Sequence, residues 1–263
     1  MSLRLRTVVI SVPLLLASAA LASAQVGSGV VHVPGGDAMP LEQHGAQLYA
    51  ANCATCHGAD GRGILEPRPG AGDVLGRGPS LHGVGARAAD FYLRTGYMPL
   101  GEPDEQPSRQ RVLFSEREIQ ALVSYVASLD HGPPVPAVHP ERGKPAEGLE
   151  LFTEHCAGCH QIVAQGGVAT GARVPPLTDA TATQIAEAVR VGPYLMPSFS
   201  PHDITDEQLD SIIAYVQRSQ HPVDRGGWGI GNLGPFPEGM VTWLIGGVAL
   251  LAFCMVIGRR LNS

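Results

Sequence analysis

The pentapeptide Cys-x-x-Cys-His occurs twice in this chain of 263 residues, as Cys53-Ala54-Thr55-Cys56-His57 and as Cys156-Ala157-Gly158-Cys159-His160. Two thiols three positions apart near the end of a short helix reach the two vinyl groups of one porphyrin. The histidine that follows then sets its imidazole under the iron. A redox-active thiol pair or half of a zinc site also uses Cys-x-x-Cys, but a redox pair does not need that histidine and is not expected twice with similar flanks. The two motifs therefore predict two covalently attached haem c groups, held through Cys53, Cys56, Cys156 and Cys159. His57 and His160 are the expected proximal iron ligands.

Each motif sits inside a longer repeat. Gly45, Leu48, Tyr49 and Cys53 correspond to Gly148, Leu151, Phe152 and Cys156 at a constant offset of 103 residues. Downstream, Pro79-Ser80-Leu81 is answered by Pro175-Pro176-Leu177, and the segment ending Tyr97-Met98-Pro99 by one ending Leu195-Met196-Pro197. Each half closes with an amphipathic pattern behind a capping signal. Ser115 to Glu118 precedes Ile119, Leu122, Val123, Val126 and Leu129, and Thr205 to Gln208 precedes Leu209, Ile212, Ile213 and Val216. Strand signals are nearly absent, so the expected fold class is all-α, with two small helical domains in tandem. Domains of this size have thin cores, and an apolar porphyrin would supply part of what is missing.

A histidine-bound haem leaves its sixth position open. Met98 and Met196 each precede a proline, 41 and 36 residues after their histidines. A lone methionine is usually core packing, but two at matching places in a repeated haem domain point to axial ligation. A thioether favours ferrous iron, which raises the potential and closes the iron to substrates. His82 and His202 are the rival ligands, and neither recurs in the other half. Pro79 and Pro175 are expected to present carbonyls to the Nδ1–H of His57 and His160, with Leu81 and Leu177 packing on the porphyrin. For Arg94 and Arg190 two readings stand open, pairing with haem propionates or solvated helix residues.

The ends of the chain address a membrane. Residues 1–24 carry Arg4 and Arg6, an apolar run and Ala22-Ser23-Ala24, the pattern of a secretory signal peptide, with a retained anchor as the alternative. Met240 to Ile257 is an uncharged apolar run followed by Arg259 and Arg260. It predicts a transmembrane helix over 240–258 with a cytoplasmic tail, 259–263. The haem domains, 25–132 and 143–222, would then stand on the extracytoplasmic side of the cell membrane. The Pro-rich linker 133–142 is expected to restrict their separation, and 223–239 is a Gly/Pro-rich approach to the membrane. Gly- and Pro-rich loops in the first half, Gly58 to Gly78 and Leu100 to Phe114, are candidate partner contacts. Cys254, inside the apolar run, reads as a packing residue. The formal net charge is −6 and no basic patch is present, which argues against nucleic-acid binding.

With Cys-x-x-Cys-His, Pro-x-Leu, Met-Pro and a terminal helix, each half resembles a class I cytochrome c domain. The stretch Gly226 to Met240, together with the anchor and the duplication, resembles the di-haem cytochrome c subunit of actinobacterial-type cytochrome bc complexes. That resemblance implies electron transfer during quinol oxidation, as a subunit of a quinol–cytochrome c reductase. Electrons would pass from the Rieske iron–sulfur protein through the two haems to a haem–copper oxidase, beside a cytochrome b subunit. Two other readings remain at this level. One is a membrane-anchored carrier for another dehydrogenase or oxidase. The other is a di-haem peroxidase, which needs an iron that opens to substrate.

Overall fold

The computed structural model describes residues 29–64, 78–101, 108–169, 171–221 and 235–261, without the side chains of Asp37, residues 235–238 and Leu261. The expected signal segment 1–24, most of the approach to the membrane and parts of both first-half loops lie outside the described residues. The first half consists of α1 (Leu41–Asn52), the short α2 (Ala54–His57), α3 (Gly85–Arg94) and α4 (Glu116–Leu129). The second repeats this order as α5 (Pro145–His155), α6 (Ala157–His160), α7 (Ala182–Val191) and α8 (Asp206–Gln220). A small antiparallel hairpin, β1 (Gly167–Ala169) with β2 (Ala172–Val174), is inserted after α6. The chain is thus mostly helical. The hairpin, pairing only three residues a side, is a departure that no alternating sequence pattern announced.

In each half the first and last helices cross at a glycine. A Cβ on Gly45 would run into the Ala121 carbonyl of α4, and one on Gly148 into the Ser211 carbonyl of α8. Around these crossings the apolar faces close into two cores. Leu48, Tyr49, Ile119 and Leu122 are buried in the first; Phe152, Leu209, Ile212, Ile213 and Val216 are buried in the second. Each such side chain contributes roughly 1.5–3 kcal/mol relative to exposure. Both expected capping boxes are formed. Ser115 Oγ accepts from Glu118 N–H at 3.4 Å, and Thr205 Oγ1 from Gln208 N–H at 3.2 Å. A further one opens α7, where Thr181 Oγ1 accepts from Gln184 N–H at 3.2 Å.

Both halves belong to one compact unit, which ends at Gln220. Helices α3 and α7 pack against one another across the pseudo-repeat. Arg109 of the first half donates to the Asp179 carbonyl of the second at 3.3 Å, and Gln184 donates to the Arg94 carbonyl at 3.5 Å. The linker is docked at both ends. Pro133 accepts from the Arg87 N–H at 3.2 Å, and the His139 N–H donates to Asp210 Oδ1 at 2.7 Å. Direct packing, beyond the stiffness of proline, therefore fixes how the halves meet.

The second unit holds α9 (Pro235–Leu261). Its stretch Gly239–Arg260 is 22 residues, long and apolar enough to cross a membrane, and its large apolar side chains are exposed.

Candidate haem sites

The two motifs fold alike, bond for bond. Helix α1 hands over to α2 through Cys53, whose N–H donates to the Tyr49 carbonyl at 2.8 Å; Cys156 donates to Phe152 at 2.8 Å. The His57 N–H reaches the Cys53 carbonyl, and the His160 N–H the Cys156 carbonyl, both at 2.9 Å. The following loop returns under the histidine. Gly63 N–H donates to His57 O at 2.8 Å and Leu81 N–H to Gly61 O at 2.7 Å, matched by Gly166 to His160 at 3.0 Å and Leu177 to Ala164 at 2.9 Å. These returns bring the proline carbonyls up to the imidazoles. Nδ1 of His57 lies 2.8 Å from the Pro79 carbonyl oxygen, and Nδ1 of His160 lies 3.2 Å from that of Pro175. A carbonyl only accepts, so each Nδ1 carries the proton and each Nε2 is left bare for a metal.

The loops turn through left-handed backbone, and here the halves differ. Gly58 and Gly61 have φ of 80° and 74°; their counterparts Gln161 and Ala164 have 61° and 58°. At Gln161 ψ is 158°, a region almost confined to glycine, so the second half carries strain there that the first avoids. A second difference concerns the tyrosines. In the first half the hydroxyl of Tyr49, on the first helix, donates to the Gly58 carbonyl at 2.7 Å. In the second half Phe152 occupies that place, and the hydroxyl of Tyr215, on the last helix, donates instead to the Ile162 carbonyl.

The second half encloses a largely apolar cavity. Cys156, Cys159, His160, Pro175, Leu177 and Met196 all line it. Met196 is brought round by Gly192, which at φ 66° ends α7 and leaves room for the Met196 carbonyl and the Ser198 N–H where a Cβ would stand. Arg190 then pins the segment beyond. Its side chain is 5% exposed and donates to the Phe199 carbonyl at 3.1 Å, the Ile204 carbonyl at 2.8 Å and Asp206 Oδ1 at 2.6 Å. In the first half Leu81 and Cys53 pack on the core, and Met98 is half-buried with its N–H on the Tyr92 carbonyl at 3.1 Å. Residues 65–77 and 102–107, lying between Ile64 and Gly78 and between Gly101 and Ser108, are outside the described residues.

These residues suit a porphyrin. Burial pushes the Cys53 thiol up to about 12 and the Cys156 thiol up to about 11, so both stay neutral. A zinc site or a redox pair needs the thiolate, whereas a thioether needs none. Burial also pushes the His160 imidazole below its usual value, which keeps it in the neutral, ligating form. Of the rival histidines, His82 is engaged elsewhere, its Nε2 meeting the Asp60 carbonyl at 2.9 Å, and His202 is an exposed residue whose backbone N–H meets Ser200 Oγ at 3.2 Å. Arg94 and Arg190 follow neither of their two expected readings. Arg94 binds Asp90 at 2.8 and 2.9 Å and Glu116 at 2.6 and 2.8 Å, while Arg190 is internal.

Four first-half residues also stand in the wall of the second cavity: Phe91, Thr95, Tyr97 and Arg109. Motif reading did not find them, since a contact between domains leaves no periodic trace in either.

Comparison with known proteins agrees with this architecture. Residues 42–130 match the family model described as Cytochrome c, and residues 143–216 match that described as Cytochrome C oxidase, cbb3-type, subunit III. The cytochrome bc1 complex cytochrome c subunit of Corynebacterium diphtheriae is 35% identical, over 85% of this chain and 83% of its own length. Those of Mycobacterium tuberculosis and Mycobacterium leprae are 36% and 33% identical, covering 84% and 92% of this chain and 78% and 84% of theirs. With two cytochrome c domains, paired motifs and relatives matched along most of its length, the chain belongs to the family of cytochrome bc1 complex cytochrome c subunits.

Proposed function

We propose that this chain is the di-haem electron-transfer subunit of a respiratory cytochrome bc complex. It accepts electrons from the Rieske iron–sulfur protein and passes them through two His/Met haems to a terminal haem–copper oxidase. One observation carries the reading: the same imidazole-to-proline-carbonyl bond stands behind both Cys-x-x-Cys-His motifs, and in the second half Met196 shares a cavity with His160.

Haem c, when bound, supplies one-electron exchange between ferric and ferrous iron. The protein supplies the rest. Cys53 and Cys56, like Cys156 and Cys159, tether a porphyrin by thioethers. The Pro79 and Pro175 carbonyls hold His57 and His160 in the tautomer that ligates through Nε2. Met98 and Met196 would be the second iron ligands, and their thioether sulfurs would hold the potentials high. Leu81 and Leu177 keep water from the ring. On this reading the chain is an electron carrier without a substrate site of its own, acting as one subunit of a quinol–cytochrome c reductase. α9 is, on the same reading, the anchor in the cell membrane, and the positive-inside rule, applied to Arg259 and Arg260, supports a cytoplasmic C-terminus.

The match of the second half to a cbb3-type oxidase subunit favours one alternative, a carrier built into an oxidase. Extraction in mild detergent separates the two. Co-purification with a cytochrome b and a Rieske subunit is expected, and their absence would sink the bc assignment. Carbon monoxide binding to either reduced haem would instead favour a peroxidase-type site.

A further inference from the structure

The cavity around His160 and Met196 is not closed by its own domain. Phe91 and Tyr97, 4% and 8% exposed with ring centroids 5.8 Å apart, come from the C-terminal end of α3 and the turn after it. Thr95, also in the wall, is fixed by its Oγ1 donating to the Phe91 carbonyl at 2.6 Å. Arg109 sits at the exposed rim. One of its nitrogens donates to the Asp179 carbonyl of the second half at 3.3 Å. A guanidinium has five N–H donors in a planar fork that suits a carboxylate.

A porphyrin in this cavity brings two propionate carboxylates that need cationic or hydrogen-bonding partners at its edge. Arg94 and Arg190 are already committed to Asp90, Glu116 and Asp206, which leaves two arginines in the cavity wall for two propionates, Arg173 of β2 and Arg109 of the first half. We infer that the second haem occupies a joint site, in which Arg109 of the first domain binds a propionate of the haem attached to the second. The inference rests on the di-haem reading above. It adds that one domain sets the properties of the other's cofactor.

Ferric haem carries one more positive charge than ferrous haem. A guanidinium at its edge disfavours the ferric form directly, and it also neutralises a propionate that would otherwise favour it. Removing Arg109 therefore lowers the potential of the second haem. The test is a spectroelectrochemical titration of the full chain in its isolated complex, as Arg109→Lys, Arg109→Ala and Arg109→Glu. The second haem's transition is assigned by its shift in Met196→His. The expected result is a graded fall of the second midpoint, smallest for Lys and largest for Glu, with the first haem unmoved although Arg109 belongs to the first domain. Loss of the second haem alone in Arg109→Ala supports the same conclusion, since the second domain's own residues are untouched. An unmoved second midpoint, or a shift confined to the first haem, overturns the joint site. Haem content separates the two levels. Two haems per chain with no shift defeats only this inference, whereas fewer than two in the unaltered protein defeats the di-haem reading and the inference with it.

Discussion

The carboxyl group of Glu187, fully buried on α7, faces that of Asp90 on α3, where the two domains meet. Arg94 takes both Asp90 oxygens at 2.8 and 2.9 Å, while the Glu187 oxygens receive no donor from the protein. Two ionised carboxylates both accept, so the pair is satisfied only when Glu187 keeps a proton and donates it to Asp90. Burial, then the Asp90 charge, pushes Glu187 up to about 9, although Arg94 and Arg87 pull the other way. Arg190 on its own helix and Glu116 on α4 complete the charged surroundings.

This arrangement gives stability a pH dependence of known sign. In the unfolded chain Glu187 loses its proton near its ordinary value of 4.5; in the folded chain it keeps it to about 9. Between those values unfolding releases a proton, so this group's contribution falls as pH rises through the window. Glu187→Gln, which cannot ionise, should flatten the decline and gain most at pH 8–9, at the upper end of that window. Denaturant unfolding at several pH values from 5 to 9 measures it, and identical slopes for both proteins would refute the proton assignment.

Arg190 is a second point of leverage. Arg190→Met leaves the carbonyls of Phe199 and Ile204 without their charged donor, at a cost of about 2–3 kcal/mol. The ion pair with Asp206 adds little, because that carboxylate is 79% exposed. The segment it pins follows Met196, so the methionine-to-iron charge-transfer band of the second haem should weaken first on heating. A band as stable as in the parent would show that Met196 is held by other contacts.

Backbone strain at Gln161 predicts a gain. Gln161→Gly removes a residue from φ 61° and ψ 158°, where strain costs about 1–3 kcal/mol, against about 0.5–1 kcal/mol for glycine's added freedom in the unfolded chain. A net stabilisation of about 1 kcal/mol is expected, read as a higher melting temperature of the second domain. Gly58→Gln should do the reverse in the first.

Ligand exchange addresses the irons separately. Met98→His should lower the potential of the first haem alone, and Met196→His that of the second alone. Redox titrations that superimpose on the parent's would remove the substituted methionine from the coordination sphere. Replacing His57 or His160 should abolish stable low-spin haem in that half only, checked by the absorption spectrum.

The repeat was legible because it is written in local terms. Gly45 and Gly148, Pro79 and Pro175, and the capping signals at Ser115 and Thr205 each specify a nearby turn, crossing or helix start. The apolar faces of α4 and α8 follow from period alone: Ile119, Leu122 and Val126, like Leu209, Ile212 and Val216, are buried as expected. What stayed hidden lies where the halves meet. Glu187 and Arg190 look like ordinary surface residues of an amphipathic helix until α3 and the chain after Met196 cover them. Arg109, in a Gly- and Pro-rich loop, carries no pattern that points at a cavity in the other domain. The hairpin at 167–174 is equally silent, because a strand pair of three residues has too few positions to show alternation.

The hydroxyl that ties down the haem-motif loop comes from different helices in the two halves, from Tyr49 on α1 in the first and from Tyr215 on α8 in the second. A tyrosine nevertheless stands at the matching place of α4, since Tyr125 meets Tyr49 at 5.0 Å between ring centroids as Tyr215 meets Phe152 at 5.3 Å. A recombinant that joined the α5 sequence to α4 would set Phe152 beside Tyr125, the same pair of residue types that the second half uses. The first half thus carries a spare tyrosine, and loss of the Tyr49 hydroxyl would still leave its loop a tyrosine where the second half keeps its donor.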